Sequence, residues 1–101
     1  MITKRNKKNI SLLKLKKVIL DLKKRKKKVA LCHGVFDQIH VGHVHHLNEA
    51  RKLADYVVVT ITADKFVKKG PGKPYFSENN RVKMLEALKQ VDYVSVNHST
   101  D

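Results

Sequence analysis

Apolar residues recur at two different spacings along this chain, and the changes between them divide it into helices and strands. After Ser11, a suitable N-cap, the helical spacing predicts an amphipathic helix that packs on a sheet, with a stripe of Leu12, Leu15, Ile19 and Leu22. The apolar run at 29–32 then has the length and composition of a strand. A second helix is predicted by the spaced apolar residues Val44, Leu47, Ala50, Leu53 and Ala54.

The second half of the chain repeats this alternation. Residues 56–61 are β-branched and almost wholly apolar, which suits a parallel strand covered on both faces. Glycine and proline predict a loop over residues 62–76. Ser77 is placed to cap a third helix, and residues 91–96 form the third predicted strand. The core stripe predicted for the third helix is Val82, Leu85 and Leu88.

This order predicts an α/β fold in which three parallel strands alternate with helices, after an N-terminal amphipathic helix. Two right-handed crossovers would give a Rossmann-like half of a doubly wound sheet. Ligands bind such sheets at the carboxyl ends of the strands. The segment 33–46 follows the first strand, so it is the predicted binding region.

The segment 33–46 has the features of a phosphate site. His40, Gly42 and His43 sit where the second helix begins, and backbone N–H groups there lack partners at the positive end of the helix dipole. Gly34 is predicted to let the backbone turn, and Gly42 to leave room for a ligand against the main chain. The two imidazoles, three residues apart, fall on one helix face and can reach the same anion.

These motifs resemble the cytidylyltransferase-like nucleotidyltransferase superfamily over roughly residues 9–97. The resemblance is strongest to the adenylyltransferase domain of ADP-heptose synthases and to glycerol-phosphate cytidylyltransferases. It begins with His-Gly-Val-Phe-Asp at 33–37 and Ile-His-Val-Gly-His at 39–43. It continues in order through 54–59, 62–64, 70–74, Arg81 and 91–94.

The resemblance implies transfer of a nucleoside monophosphate from a nucleoside triphosphate to a sugar or polyol phosphate, with release of pyrophosphate. It implies that His40 and His43 bind the triphosphate and stabilise the transition state. The nucleotide pocket would be lined by backbone groups of Gly34, Val35 and Phe36. Asp37 is expected to fix the loop by accepting N–H bonds rather than to act as a base. Mg²⁺ would enter with the triphosphate, because it favours phosphate oxygens.

A second group of candidate residues lies further along the chain. Lys69 and Lys73 flank a stiff Gly-Pro-Gly turn and are predicted to close over phosphates, the former as a catalytic and substrate-binding residue, the latter on the nucleotide. A solvated surface loop is the alternative. Asp64 and Arg81 are candidates for substrate binding, with a capping role for the former and a surface role for the latter as alternatives.

The clustered histidines allow other interpretations. A structural zinc site is disfavoured because no second ligand cluster stands at metal spacing, so no metal ligand is predicted. Class I aminoacyl-tRNA synthetases have a similar short motif but are far longer than 101 residues. His45, His46 and His98 are interpreted as ordinary surface or core histidines.

The net charge of +13 comes almost entirely from the N-terminal segment. Residues 1–28 hold 13 of the 22 Lys and Arg with one acid, Asp21. Such an arm could contact nucleic acid, but the chain has no Trp and no recognisable binding module. No apolar run has the length of a membrane span, so no membrane partner is expected. The single cysteine, Cys32, cannot form an internal disulfide, which favours a cytoplasmic protein.

We therefore expect a basic extension and helix at 1–28 and a nucleotidyltransferase-like domain at 29–101, truncated at its C-terminus. In the family, further strands follow on the other side of the first strand. Its open edge is expected to be covered by a second copy or a partner domain. The favoured function is adenylyl or cytidylyl transfer, with ATP slightly ahead of CTP. The alternatives are a non-catalytic nucleotide-binding fragment of a larger synthase and nucleic-acid binding through the arm.

Overall fold

Strands and helices alternate along the protein as the apolar pattern predicts. A computed structural model describes residues 7–67 and 74–98. In chain order its elements are α1 (Leu12–Lys24), β1 (Val29–Gly34), α2 (Val41–Leu53), β2 (Tyr56–Thr62), a short 3₁₀ helix (Asp64–Phe66), α3 (Glu78–Glu86) and β3 (Tyr93–Asn97). The predicted Rossmann-like α/β arrangement is confirmed.

The three strands form one parallel sheet in the order β1-β2-β3. Val29 pairs with Tyr56 at the start of β1, and Val58 pairs with Tyr93 at the start of β3. The central strand β2 is buried on both faces, since Val57 and Val58, which point to opposite faces, are both 0% exposed. A near-continuous apolar strand is typical of this position, as its sequence predicts.

One face of the sheet is covered by α2 and α3. Leu47 of α2 and Leu85 of α3 are fully buried against Val57, Val59 and Ile61 of β2. Burial of each such side chain contributes roughly 2 kcal/mol to the free energy of folding.

The predicted α2 stripe is wrong at Leu53. A three-residue step falls short of a 3.6-residue turn, so the stripe drifts around the helix. As a result Leu53 is 78% exposed.

The other face is covered by α1, whose buried residues are Leu15 and Leu22. The Ser11 side chain accepts a hydrogen bond from the Lys14 backbone N–H, as its predicted role as N-cap requires. Residues 12–24 therefore pack on the sheet through Leu15 and Leu22.

The helix α1 ends within the unbroken run of basic residues 23–28, where backbone hydrogen bonds close its last turn. The Lys27 N–H donates to the Leu22 carbonyl and the Lys26 N–H to the Lys23 carbonyl, each over 2.9 Å. Lys26 itself has a φ of 59°. This is a Schellman motif with lysine at the left-handed position that glycine usually occupies. These backbone hydrogen bonds define the C-terminus of the helix.

The segment before α1 runs beside β3. The Val94 N–H donates to the Lys8 carbonyl over 2.9 Å, and the Ile10 N–H donates to the Val94 carbonyl over 3.0 Å. The Ser95 hydroxyl adds a 2.6 Å bond to the Ile10 carbonyl. The outer side of β3 is thus partly covered. At the opposite edge, β1 pairs with β2 alone among the described residues, and Leu31 is 59% exposed.

Two strand boundaries differ by two residues from the predicted ones, and two others differ by one. β3 begins at Tyr93, because the Val91 N–H closes a turn onto the Leu88 carbonyl and Asp92 exchanges hydrogen bonds with Val57. β1 continues through Gly34, since residues 33–34 keep the ladder register with β2. Within 7–67 and 74–98, no helix has both the length and the apolar character needed to cross a bilayer.

Candidate functional site

A cavity of about 270 Å³ opens at the carboxyl end of β1, beside the start of α2. This is where the parallel topology was expected to place a ligand. Six of the predicted nucleotide-binding residues line it together: Gly34, Val35, Phe36, His40, Gly42 and His43. It is also lined by Cys32, His33 and His46.

Two histidine side chains cap the start of α2. His40 is the N-cap, and its Nδ1 accepts a hydrogen bond from the Gly42 N–H over 3.0 Å. The His40 backbone N–H in turn donates to Nδ1 of His43 over 3.1 Å. These reciprocal bonds make a capping box from two imidazoles, whose ring centroids lie 4.2 Å apart. The same pair of residues therefore defines the helix start and faces the cavity.

The caps determine which ring nitrogens can bind a ligand. An N–H donor needs a lone pair on its acceptor, so Nδ1 of His40 and of His43 must be unprotonated. In the neutral rings the proton then sits on Nε2, which is left as a hydrogen-bond donor. Burial lowers the pKa of His43, and the neighbouring His40 and His46 lower it further. The pair is thus suited to donate hydrogen bonds to an anion.

Gly42 has a different role from the one predicted. A Cβ at this position would lie 2.7 Å from Cε1 of His40. The imidazole of the N-cap therefore occupies part of the space expected to receive a ligand, although Gly42 still lines the cavity. Glycine is needed here because the His40 ring folds back over the Gly42 main chain to accept its N–H.

The backbone turn of the loop occurs at Phe36, with a φ of 53°, and not at Gly34 as predicted. A Cβ on Gly34 would lie 3.0 Å from the Phe36 ring, so the glycine makes room for that side chain. The Phe36 ring is buried, and its centroid lies 5.3 Å from that of His43. The Phe36 ring, for which Gly34 leaves room, thus packs beside the imidazole of His43.

Asp37 accepts hydrogen bonds from backbone N–H groups, as expected, but across the fold. Its two carboxylate oxygens accept from the Tyr75 N–H over 2.7 Å and the Phe76 N–H over 2.8 Å. These bonds tie the loop after β1 to the residues just before α3. Asp37 is not among the cavity-lining residues, so it acts on the site through the loop.

Arg81 requires a correction, because its side chain is 0% exposed and cannot contact a substrate or form a surface in this structure. Its guanidinium donates to the carbonyls of Val35 and Thr62 over 2.8 and 2.7 Å. It also donates to the carbonyl of Phe76 and, over 2.6 Å, to the Asp64 carboxylate. Arg81 therefore joins the carboxyl ends of β1 and β2 to α3.

The remaining predicted residues lie away from the imidazoles or outside the described ranges. Asp64 opens the 3₁₀ helix after β2, and its carboxylate, 40% exposed, pairs with Arg81 without lining the cavity. Lys69 and Lys73 fall between the described ranges 7–67 and 74–98.

Three cavity residues were missed from the sequence. His46 was interpreted as ordinary, although its position three residues after His43 gives it the same helix face. His33 lies in β1 and its Nδ1 is 2.7 Å from the Thr60 hydroxyl oxygen. Burial raises the pKa of the Cys32 thiol, which fits its place in the core.

The donor groups around the cavity are imidazoles and backbone amides. No group of three or more His, Cys, Asp or Glu side chains within the described part of the chain is arranged to hold a metal ion. Among the described residues that line the cavity there is no carboxylate, which is the side chain Mg²⁺ prefers. The imidazole and amide donors suit an anionic ligand.

Comparison with known proteins agrees with this geometry. The chain is 40% identical over 84 residues to the bifunctional protein HldE of Desulfatibacillum aliphaticivorans, covering 81% of this chain and 17% of that protein. It is 44% identical over 68 residues to a FAD synthase of Thermoplasma acidophilum, covering 67% of this chain and 48% of the relative.

A solved structure shares the fold. A lipopolysaccharide core biosynthesis protein from Thermoplasma volcanium superimposes with a TM-score of 0.68 at 36% identity, covering 74% of this chain and 62% of that one. The chain spans less than two thirds of the length of each of these relatives. The cytidylyltransferase-like family model matches residues 31–101, most of the chain, so this protein belongs to the cytidylyltransferase-like family.

Proposed function

We propose that this domain transfers a nucleoside monophosphate from a nucleoside triphosphate to a phosphorylated sugar or polyol. An oxygen of the acceptor phosphate attacks the α-phosphorus, the bond to the bridging oxygen of the β-phosphate breaks, and pyrophosphate leaves. The observation that carries the proposal is the pair of capped imidazoles, which leaves two Nε2–H donors at a cavity at the end of β1.

This chemistry needs alignment and charge stabilisation more than a strong base. A phosphate acceptor is already anionic near neutral pH, so no group has to remove a proton from it. The donors of His40 and His43 and the start of α2 would hold the phosphate chain and stabilise charge on the transferring group. Gly34, Val35 and Phe36 would lie against the nucleotide.

The lysines of the loop and the cation complete the proposal. Lys69 and Lys73 would contact the acceptor and the phosphates from the loop before α3. Mg²⁺ would arrive coordinated by the triphosphate, as part of the substrate, because the described cavity-lining residues include no carboxylate to hold it.

The relatives favour an adenylyl donor, although CTP remains a candidate. FAD contains adenylate joined by a phosphoanhydride bond to a flavin phosphate, so a FAD synthase relative is consistent with ATP and a phosphorylated acceptor. That relative, 44% identical, also makes flavin mononucleotide a second candidate acceptor. The similarity to HldE supports a sugar phosphate as the acceptor only together with the resemblance of the motifs to ADP-heptose synthases.

The test is release of pyrophosphate from ATP or CTP with Mg²⁺ and a panel of acceptors: heptose phosphate, glycerol phosphate and flavin mononucleotide. We expect release that requires both an acceptor and a triphosphate, and that His43→Ala abolishes. His45→Ala is the matched control, since His45 lies on the same helix but outside the cavity lining.

The same assay separates the alternatives. Nucleotide binding that depends on His43 but gives no turnover would support a non-catalytic fragment that needs a partner domain. Salt-sensitive binding of DNA or RNA that is lost when the basic residues before Val29 are neutralised, with no nucleotide affinity, would overturn the proposal in favour of nucleic-acid binding.

A further inference from the structure

A third imidazole follows the capping pair along the cavity side of α2. His40, His43 and His46 are spaced by three residues, so they succeed one another along one face of the helix, and all three line the same cavity. His45 points elsewhere, into a surface depression shared with Glu49 and Lys89.

The three imidazoles differ in whether their ring nitrogens already take part in hydrogen bonds. Nδ1 of His40 and of His43 each accepts a backbone N–H, so a second proton on either ring would set two N–H groups against each other and break a cap. Neither ring nitrogen of His46 has a hydrogen-bond partner among the residues described. His46 can therefore become an imidazolium without losing any bond of the fold.

The surroundings of His46 hold few charges. From β1 the titratable groups at the cavity are Cys32 and His33, and β2 adds only Tyr56 at the opposite end of the sheet. On α2 itself, Glu49 follows His46 by three residues and is paired with Lys52 over 2.9 Å. No Asp, Glu, Lys or Arg side chain is among the described cavity-lining residues, so a charge on His46 would dominate the local field.

We propose that His46 is a further nucleotide-binding residue, which contacts the phosphate chain as a cation, while His40 and His43 contact it as neutral donors. The inference rests on the proposed function, because it assumes a polyphosphate in this cavity. The three histidines then have different roles. His40 and His43 fix where the phosphates lie, and His46 supplies a positive charge that the described lining otherwise lacks. The lowered pKa of His43 agrees with this division of roles, since burial and, to a lesser extent, its neighbours disfavour a charge there.

The test is the affinity of the full chain for magnesium-ATP, measured by calorimetry between about pH 5.5 and 8.5, a range that spans the ordinary imidazole pKa. Between the acidic and the alkaline end of this range, we expect the wild type to lose about ten times more affinity than His46→Gln. A factor of about ten corresponds to the loss of one charge-assisted hydrogen bond. The glutamine variant also reports the titration of the nucleotide itself. His46→Lys should keep high affinity at the alkaline end, and His45→Gln should follow the wild type.

Nitrogen NMR of the histidine rings gives a readout that does not depend on turnover. His40 and His43 should remain Nε2–H tautomers throughout, and His46 should become doubly protonated when nucleotide is added at about pH 7.5, where an ordinary imidazole is mostly neutral. A His46 ring that stays neutral in the complex, or a glutamine variant with the wild-type pH profile, overturns the inference.

The two proposals fail in different ways. Should the wild type bind nucleotide through His43 with no contribution from His46, the inference alone is wrong. Should the wild type bind no nucleotide at all, the proposed function is wrong, and the inference is wrong with it.

Discussion

The guanidinium of Arg81 donates a 2.8 Å hydrogen bond to the carbonyl of Val35, so a helix that lies outside the cavity fixes the loop that lines it. The bond is one of several that this fully buried side chain makes at the carboxyl ends of β1 and β2. Arg81 thus positions the site without touching a ligand.

Arg81→Ala should destabilise the fold strongly, because it leaves buried carbonyls and the Asp64 carboxylate without their donor. We expect a loss of about 3–5 kcal/mol in the free energy of unfolding, a large part of what a small domain has. Arg81→Lys should lose less, because a lysine can still donate to some of the same acceptors. Urea denaturation measures both. An alanine variant within 1 kcal/mol of the wild type would contradict the structural role.

Gly42→Ala should weaken nucleotide binding while leaving the fold intact. The new Cβ would push the His40 ring away and break the Gly42 N–H bond to Nδ1. Loss of a cap costs about 1 kcal/mol, but alanine gains nearly as much over glycine as a helix former, so stability should barely change. We expect affinity for magnesium-ATP to drop about tenfold, as for loss of one strong hydrogen bond.

The control for this variant is Val41→Ala, because Val41 is adjacent but 83% exposed. Its affinity and melting temperature should match the wild type. Equal affinity in the two variants would show that the position of the His40 ring does not matter for binding.

The lowered pKa of His43 predicts a pH dependence of stability. Burial and the neighbouring imidazoles depress its pKa below the ordinary value of 6.5, so between the two values the unfolded chain binds more protons than the folded one. The free energy of unfolding should therefore decrease as the pH falls below about 6.5, until the folded pKa is passed. Urea midpoints from pH 8 to pH 5 should show a shallower decrease in His43→Gln. A steeper decrease in that variant would contradict a lowered pKa of His43.

Lys26→Gly should stabilise the protein by about 1 kcal/mol, because lysine is strained in the left-handed conformation that glycine adopts freely. Lys26 has a φ of 59°, and the Schellman bonds around it need only the backbone. Thermal unfolding measures the change. Lys27→Gly removes the same charge one residue later and should not stabilise, so a similar gain in both variants would attribute the effect to charge.

The exposed edge of β1 predicts association between copies of the chain. Leu31, 59% exposed, lies on this strand, and lysine is a common way to block such an edge. Sedimentation should show a wild-type mass that rises with concentration and an association about tenfold weaker in Leu31→Lys. Leu20→Lys is the control, since Leu20 is 61% exposed on α1. A wild type that remains monomeric at millimolar concentration, or two variants that behave alike, would exclude this edge as the contact.

The order of the elements could be predicted because hydrophobic spacing reports it directly, and β2 shows this best with its unbroken run of buried valines. The place of the capping histidines was also predictable, since a strand, a loop and a helix start are local features. The burial of Arg81 was not, because its acceptors include Val35, 46 positions away along the chain. A charged residue on a helix offers no sequence signal that distinguishes this environment from solvent.

Gly42 and His46 show a second limit of sequence reasoning. The residue types were noticed, but their roles depend on which way a ring folds and on which nitrogen is already bonded. For Gly42 the deciding fact is the 2.7 Å approach of the His40 ring. Such contacts involve side-chain rotation within a known motif, and periodicity contains no information about it.

The pairing of the leading segment with β3 also dictates an order of events at the ribosome. Ile10 is synthesised well before β3, and its carbonyl accepts from the Ser95 hydroxyl, 85 positions later. Closing so long a loop costs about 4 kcal/mol of chain entropy. During translation the segment before α1 can pair only after β3 has been synthesised, so we expect the apolar stripe of α1 to be incompletely covered until then.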